Sequence, residues 1–111
     1  MKLVSLADLP EEGVSHNPEI RKRVILRRGL IPHLTNFTRS VLLPAQTATA
    51  HTHPDMYEIF LVQSGTALVK INDTTHTIAP GDCLTIEPGE PHEITNPGPA
   101  ELVLLYFGIE V

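Results

Sequence analysis

The sequence predicts an all-β domain of the sandwich or barrel kind. Ten prolines and seven glycines in 111 residues punctuate it too often for long helices. The stretches between them are short and rich in β-branched and aliphatic residues. No run of helical length carries proper caps.

Residues 1–19 hold Pro10, Gly13 and Pro18 among several acids and read as a loosely structured arm, with the barrel domain expected over 20–111. The first strand is expected in 23–31 ("RVILRRGLI") and a second in 34–43 ("LTNFTRSVLL"), stopped by Pro44. Residues 56–62 ("MYEIFLV") look like a buried strand running into Gln63-Ser64-Gly65. Strands at 67–71 and 75–78 flank Asn72-Asp73-Thr74, a hairpin turn. Pro80-Gly81-Asp82 turns into a strand at 83–86, Pro88-Gly89-Glu90-Pro91 into one at 92–95, and "ELVLLYF" over 101–107 is the last.

A chain of 111 residues, about two-fifths hydrophobic, suits one globular domain. Its formal charge of −5 argues against general nucleic-acid binding. The one basic run, Arg21, Lys22, Arg23, Arg27 and Arg28, reads as a charged strand edge or as an anion contact. A single cysteine, Cys83, forms no intramolecular disulfide and fits a reducing compartment. With no apolar run to span a membrane and no signal-peptide core, a cytoplasmic protein without membrane contact is expected. Cys83 itself is expected as a small core residue.

The chemistry concentrates in His51, His53, Glu58 and His92. Histidines at i and i+2 share one side of an extended strand, and Pro54 biases His53 toward extended backbone. Six histidines in this length make one His-x-His pair close to a chance event, so the pair needs context. Glu58 supplies it: a carboxylate opening an apolar strand that also carries Phe60 and Val62 is costly without a cation. His92 then arrives behind the Pro-Gly-x-Pro turn. Imidazole with carboxylate suits one divalent transition ion such as Fe, Mn, Ni, Zn or Cu. The competing reading is surface histidines and an exposed glutamate, which the spacing disfavours. His16, His33 and His76 lack such company and read as surface or turn residues.

At these residues the sequence resembles the cupins, small single-domain bacterial members in particular. "HTHPDMYEIFLVQSG" is similar to the first cupin motif through His51, His53, Glu58 and Gly65, and "GDCLTIEPGEPHEITN" to the second through Gly81, Asp82, Gly89, His92 and Asn96. Ala45 stands where the first motif usually opens with Gly, and Glu87 where the second usually has its first Pro. The resemblance implies a jelly-roll barrel (a double-stranded β-helix) in which the four residues hold a metal with two adjacent positions open. It also implies a small-molecule ligand or substrate and a homodimer, for which residues 20–31 are the expected shared strand. Two functions compete: a metal-dependent dioxygenase, isomerase or lyase acting on a small polar metabolite, and a non-catalytic metal-dependent binding or sensing module.

Among residues beside the ligands, Phe60 and Tyr106 are expected in the core, while Tyr57 and Gln63 have no assigned side. Arg39 is expected on the surface; facing inward it would favour a carboxylate substrate.

Overall fold

The computed structural model describes residues 1–111 and consists of ten strands and one 3-10 turn, Leu6–Asp8. The strands are β1 (Glu12–Val14), β2 (Asn17–Leu26), β3 (Phe37–Leu42), β4 (Thr47–His51), β5 (Met56–Ser64), β6 (Ala67–Ile71), β7 (Thr74–Ile78), β8 (Cys83–Ile86), β9 (His92–Thr95) and β10 (Leu102–Glu110). They form two antiparallel sheets, β1-β2-β3-β10-β5-β8 and β4-β9-β6-β7, the jelly-roll arrangement the resemblance implies.

Strict alternation builds the barrel wall. On β3, Thr38, Ser40 and Leu42 are buried while Phe37, Arg39 and Val41 face outward. On β5, Met56, Glu58, Phe60 and Val62 are buried against the same interior. Phe60, Val62, Ala67, Val69, Ile86, Ile94, Leu102 and Leu104 meet in one core with Ile20 and Leu42. Each of these side chains larger than Ala67, fully removed from water, stabilises the fold by roughly 1.5–3 kcal/mol.

The strands expected at 67–71, 83–86 and 92–95 form over those residues, and Asn72 takes φ 54° in the turn between β6 and β7. The first 19 residues are a correction. Residues 12–14 and 17–19 are already strand, β1 and β2 being a hairpin that pairs Gly13 with Arg21. β2 therefore starts before the expected residue 23 and stops at Leu26, where Gly29 at φ 99° and the Leu30 N–H to Arg27 carbonyl bond turn the chain. β4 carries the extended backbone expected at His51 back to Thr47, over small side chains that give little periodic signal.

The basic run is paired within the chain: Arg21 and Arg23 face Glu11, Arg27 bonds Glu12 at 2.6 Å, and Arg28 bonds Glu110 at 2.7 Å. Lys22 is the exception. Cys83 corrects the core expectation, for it is exposed: on β8, an edge strand, it shares the outward face with Thr85 while Ile86 is buried. Arg39 lies outward as expected, so the argument for a carboxylate substrate built on it lapses.

Both departures from the cupin motifs have local accounts. Ala45 sits at φ 72°, a left-handed conformation that favours glycine. Ala45→Gly is expected to raise stability by about 0.5–1 kcal/mol, the relief of strain exceeding the added freedom of the unfolded chain; an unchanged or lower denaturation midpoint would count against the assignment. At Glu87 the backbone N–H donates to the Glu90 carboxylate at 2.8 Å, a bond that proline cannot make.

Candidate metal centre

The four candidate residues converge from both sheets. His51 ends β4 and His92 opens β9, and the two are directly paired across the four-stranded sheet. Glu58 reaches in from β5 of the facing sheet. His53 is a correction to the strand reading: it lies just beyond β4, in the connection to β5, where its carbonyl accepts the Gly89 N–H at 2.9 Å. That bond ties the Pro88–Gly89 turn to the histidine segment. Ligand atoms of the four residues all lie within 4.8 Å of one another.

Hydrogen bonds fix which nitrogen faces inward in two of the rings. His51 Nδ1 lies 2.8 Å from the Thr49 carbonyl and His92 Nδ1 2.9 Å from that of Glu90. Carbonyls only accept, so each Nδ1 carries the proton and each neutral Nε2 presents a lone pair. His92 Nε2 and His53 Nε2 approach Glu58 Oε1 at 3.0 and 3.2 Å. Although the His92 contact is short, it is not aligned as a hydrogen bond, and both of its atoms are buried without a partner. Lone pairs and a carboxylate oxygen aimed at one another in a buried place are what a cation satisfies. The donor set fits a divalent transition ion.

Electrostatics separate the rings. Burial pushes His51 below its ordinary value, with His92 and His53 adding to the effect. For His92 burial acts in the same direction, but the Glu58 contact and the Glu90 carbonyl outweigh it and hold this ring above the usual value. Acid thus favours a proton on His92 in competition with any cation.

Beside the cluster opens a cavity of about 280 Å³. Core residues Ile20, Leu42, Phe60, Ile94 and Leu104 form its apolar walls, and Thr38, Ser40 and Tyr106 supply hydroxyls. Phe60 and Tyr106, both expected in the core, stack at 4.9 Å; Phe60 is buried, whereas Tyr106 presents its phenol to the cavity. Tyr57 and Gln63 face outward.

His16 has a place the sequence did not reveal. It occupies the β1–β2 turn, as a turn residue should, yet its ring stacks on His51 at 3.9 Å at the cavity mouth. Burial, then the neighbouring His51, lowers its pKa. Only the β1–β2 hairpin, where a loose arm is expected from the sequence, brings it there. His33 and His76 are exposed and stand apart from the cluster.

Tyr106 and Ser40 share a 2.8 Å hydrogen bond. Burial, opposed in part by this bond, raises the Tyr106 pKa to about 12. The folded state therefore favours the proton: the stabilisation is complete below the unfolded value near 10 and is lost as pH rises toward 12. In a Tyr57→Phe background, phenolate absorbance is expected to appear only toward pH 12 or with unfolding; a titration centred near pH 10 in the folded protein would contradict it.

A small antiparallel barrel with three imidazoles and one carboxylate gathered at an internal cavity defines the class. The model of the cupin domain matches residues 38–108, and the chain belongs to that family. Similar solved structures include a predicted oxalate decarboxylase of Thermotoga maritima (23% identity, TM-score 0.91, covering 99% of this chain and 100% of that one). KdgF of a Halomonas species (18%, TM-score 0.82, 100% and 96%) and the polyketide cyclase RemF of Streptomyces resistomycificus (23%, TM-score 0.84, 98% and 79%) are also alike. At such identities the likeness concerns the fold. An oxidoreductase of Arthrobotrys oligospora is 47% identical over 45 residues, 40% of this chain, and the match spans 18% of that protein's length. No helix is long and apolar enough to cross a membrane.

Proposed function

We propose that this cupin is a metal-dependent enzyme acting on a small polar metabolite, with His51, His53, Glu58 and His92 as the ligands of one divalent transition ion. The observation that carries this is the buried pair Glu58 Oε1 and His92 Nε2, close to each other and without hydrogen-bond partners, beside a cavity large enough for a ligand. A bound ion there supplies Lewis acidity, a lowered pKa for water or, if redox-active, dioxygen chemistry. The chain contributes the rest. The Glu90 and Thr49 carbonyls orient two imidazoles, apolar side chains wall part of the cavity, and Tyr106 holds a proton at its hydroxyl throughout the ordinary pH range.

Isomerisation or lyase chemistry is consistent with that retained proton. Two similar structures are named for small polar substrates, a predicted oxalate decarboxylase and a sugar phosphate isomerase, and one for a polyketide. Elemental analysis of protein isolated without added metal, followed by turnover and oxygen-uptake assays against a metabolite panel, tests the proposal. About one ion per chain with turnover supports it, and protein free of transition metal overturns it. Tight metabolite binding without turnover would favour the binding or sensing module instead.

We also propose a homodimer. β1 covers β2 only as far as Lys22, so residues 23–26 offer an open strand edge, followed by Leu30 and Ile31, which are 50% and 49% exposed. An edge pairing antiparallel with its own copy obeys two-fold symmetry. Light scattering at micromolar concentration is expected to give a dimer mass, and Ile31→Glu a monomer; a monomer mass for the unaltered protein refutes the interface.

A further inference from the structure

Lys22 is the member of the basic run that forms no salt bridge: Glu12, opposite it on β1, bonds Arg27 instead. Arg21, Arg23, Arg27 and Arg28 each form a salt bridge, and Lys22 forms none. Its place on β2 explains this. Ile20 and Val24, two residues to either side, are buried, so Lys22 shares their inward face and lines the cavity. It is paired directly with Ser40 on β3, whose hydroxyl meets that of Tyr106 on β10. Side chains opposite one another on one face are close neighbours, so Lys22, Ser40 and Tyr106 form one row of residues across the inner face of the six-stranded sheet, with the ammonium within reach of the hydroxyls. The same charge is felt at His16 at the cavity mouth.

The row has spare donors. Of the two hydroxyl protons of Ser40 and Tyr106, their shared bond uses one, and the other can point to a ligand whichever group donates. Lys22 adds an ammonium with three donors. On a chain of net charge −5, a half-buried ammonium without a salt bridge, in a cavity lined by both hydroxyls and apolar side chains, is suited to receive an anion. We propose that Lys22, with Ser40 and Tyr106, binds the anionic head group, carboxylate or phosphate, of a small oxyacid whose remaining oxygens face the His51–His53–Glu58–His92 cluster. This rests on the cluster being a metal site and names the substrate class of that site.

The test is calorimetry of succinate, malonate and inorganic phosphate, with neutral malonamide as control, on zinc-loaded and metal-free protein. Lys22→Met keeps the aliphatic stem and removes the charge. It is expected to weaken binding of at least one anion by about tenfold or more. Arg28→Met, at the rim and already paired with Glu110, should change it by less than about threefold. Zinc affinity from chelator competition should be unchanged in both variants. The succinate, malonate and phosphate arms show which head group is taken.

Lys2, Lys22 and Lys70 are the only lysines, so ¹³C-dimethylation gives three assignable side-chain signals, of which Lys22 alone should move saturably with the anion. Equal affinity in Lys22→Met and the unaltered protein overturns the assignment, as does the absence of anion binding in both forms. If zinc itself fails to bind, the metal reading falls, while loss of anion binding to the metal-free chain on Lys22→Met still upholds the receptor.

Discussion

Glu58→Ala is expected to abolish stoichiometric metal, reducing the ion content of isolated protein to about a tenth or less. The substitution removes the one anionic ligand of the set, and partners merely hydrogen-bonded to ligands already cost 10–100-fold in affinity when lost, as a rough guide. The carboxylate is buried, and its Oε1 is the atom that both His53 and His92 approach, so no neighbour takes over its role. Glu58→Gln separates loss of metal from loss of fold. It keeps the shape and packing against Met56 and Phe60, and the metal-free variant is expected to melt within a few degrees of the metal-free parent. Elemental analysis and thermal denaturation read the two quantities. Undiminished metal in Glu58→Ala removes the carboxylate from the ligand set.

The second large effect concerns two glycines that look alike in sequence. Gly65 and Gly81 both have positive φ, 80° and 90°, but their surroundings differ. A Cβ on Gly65 would run into the Glu101 carbonyl oxygen and come within 2.9 Å of Leu102 Cα, both backbone of the segment entering β10. At Gly81 a Cβ would meet nothing within 4 Å. Gly65→Ala therefore combines left-handed strain with a backbone collision, and about 3–5 kcal/mol should be lost. At this chain length that lowers the melting temperature by roughly 15 °C. Gly81→Ala bears the conformational term alone, about 1–2 kcal/mol. Equal melting temperatures for the two variants would show that the Gly65 turn can relax away from β10.

What the sequence made legible follows from how local each signal is. The strands over 67–71, 83–86 and 92–95 lie between tight turns whose Pro, Gly and Asn residues mark both ends. The candidate metal cluster was legible because a glutamate inside an apolar strand is anomalous unless something is opposite, and because His92 follows a turn that aims it. Asn96 shows what a motif leaves unsaid. Fully buried, it donates to the Leu42 and Ala100 carbonyls and accepts from Gly98 N–H, so it shapes its own loop and ties it to the end of β3, apart from the histidine–glutamate cluster.

Other residues depended on contacts no window contains. His16 and Lys22 reach the cavity through the β1–β2 hairpin, and the prolines and acids of that region conceal its pairing. Cys83 was misplaced because a four-residue strand gives too few alternations to fix which side faces the core, and because an edge strand leaves one side to solvent.

The pairing of His51 with His92 has a kinetic consequence. These residues come from distant parts of the chain, and Glu58 from the other sheet, so the three meet only once β4 has closed on β9 and the sheets have packed. An ion that needs all of them has little to hold in the unfolded chain or in the early stages of collapse. It would act as a late clasp, slowing the escape from the native state while leaving the rate of reaching it nearly unchanged. Saturating metal should then lengthen the lifetime of the folded barrel in denaturant, with the whole gain on the unfolding limb.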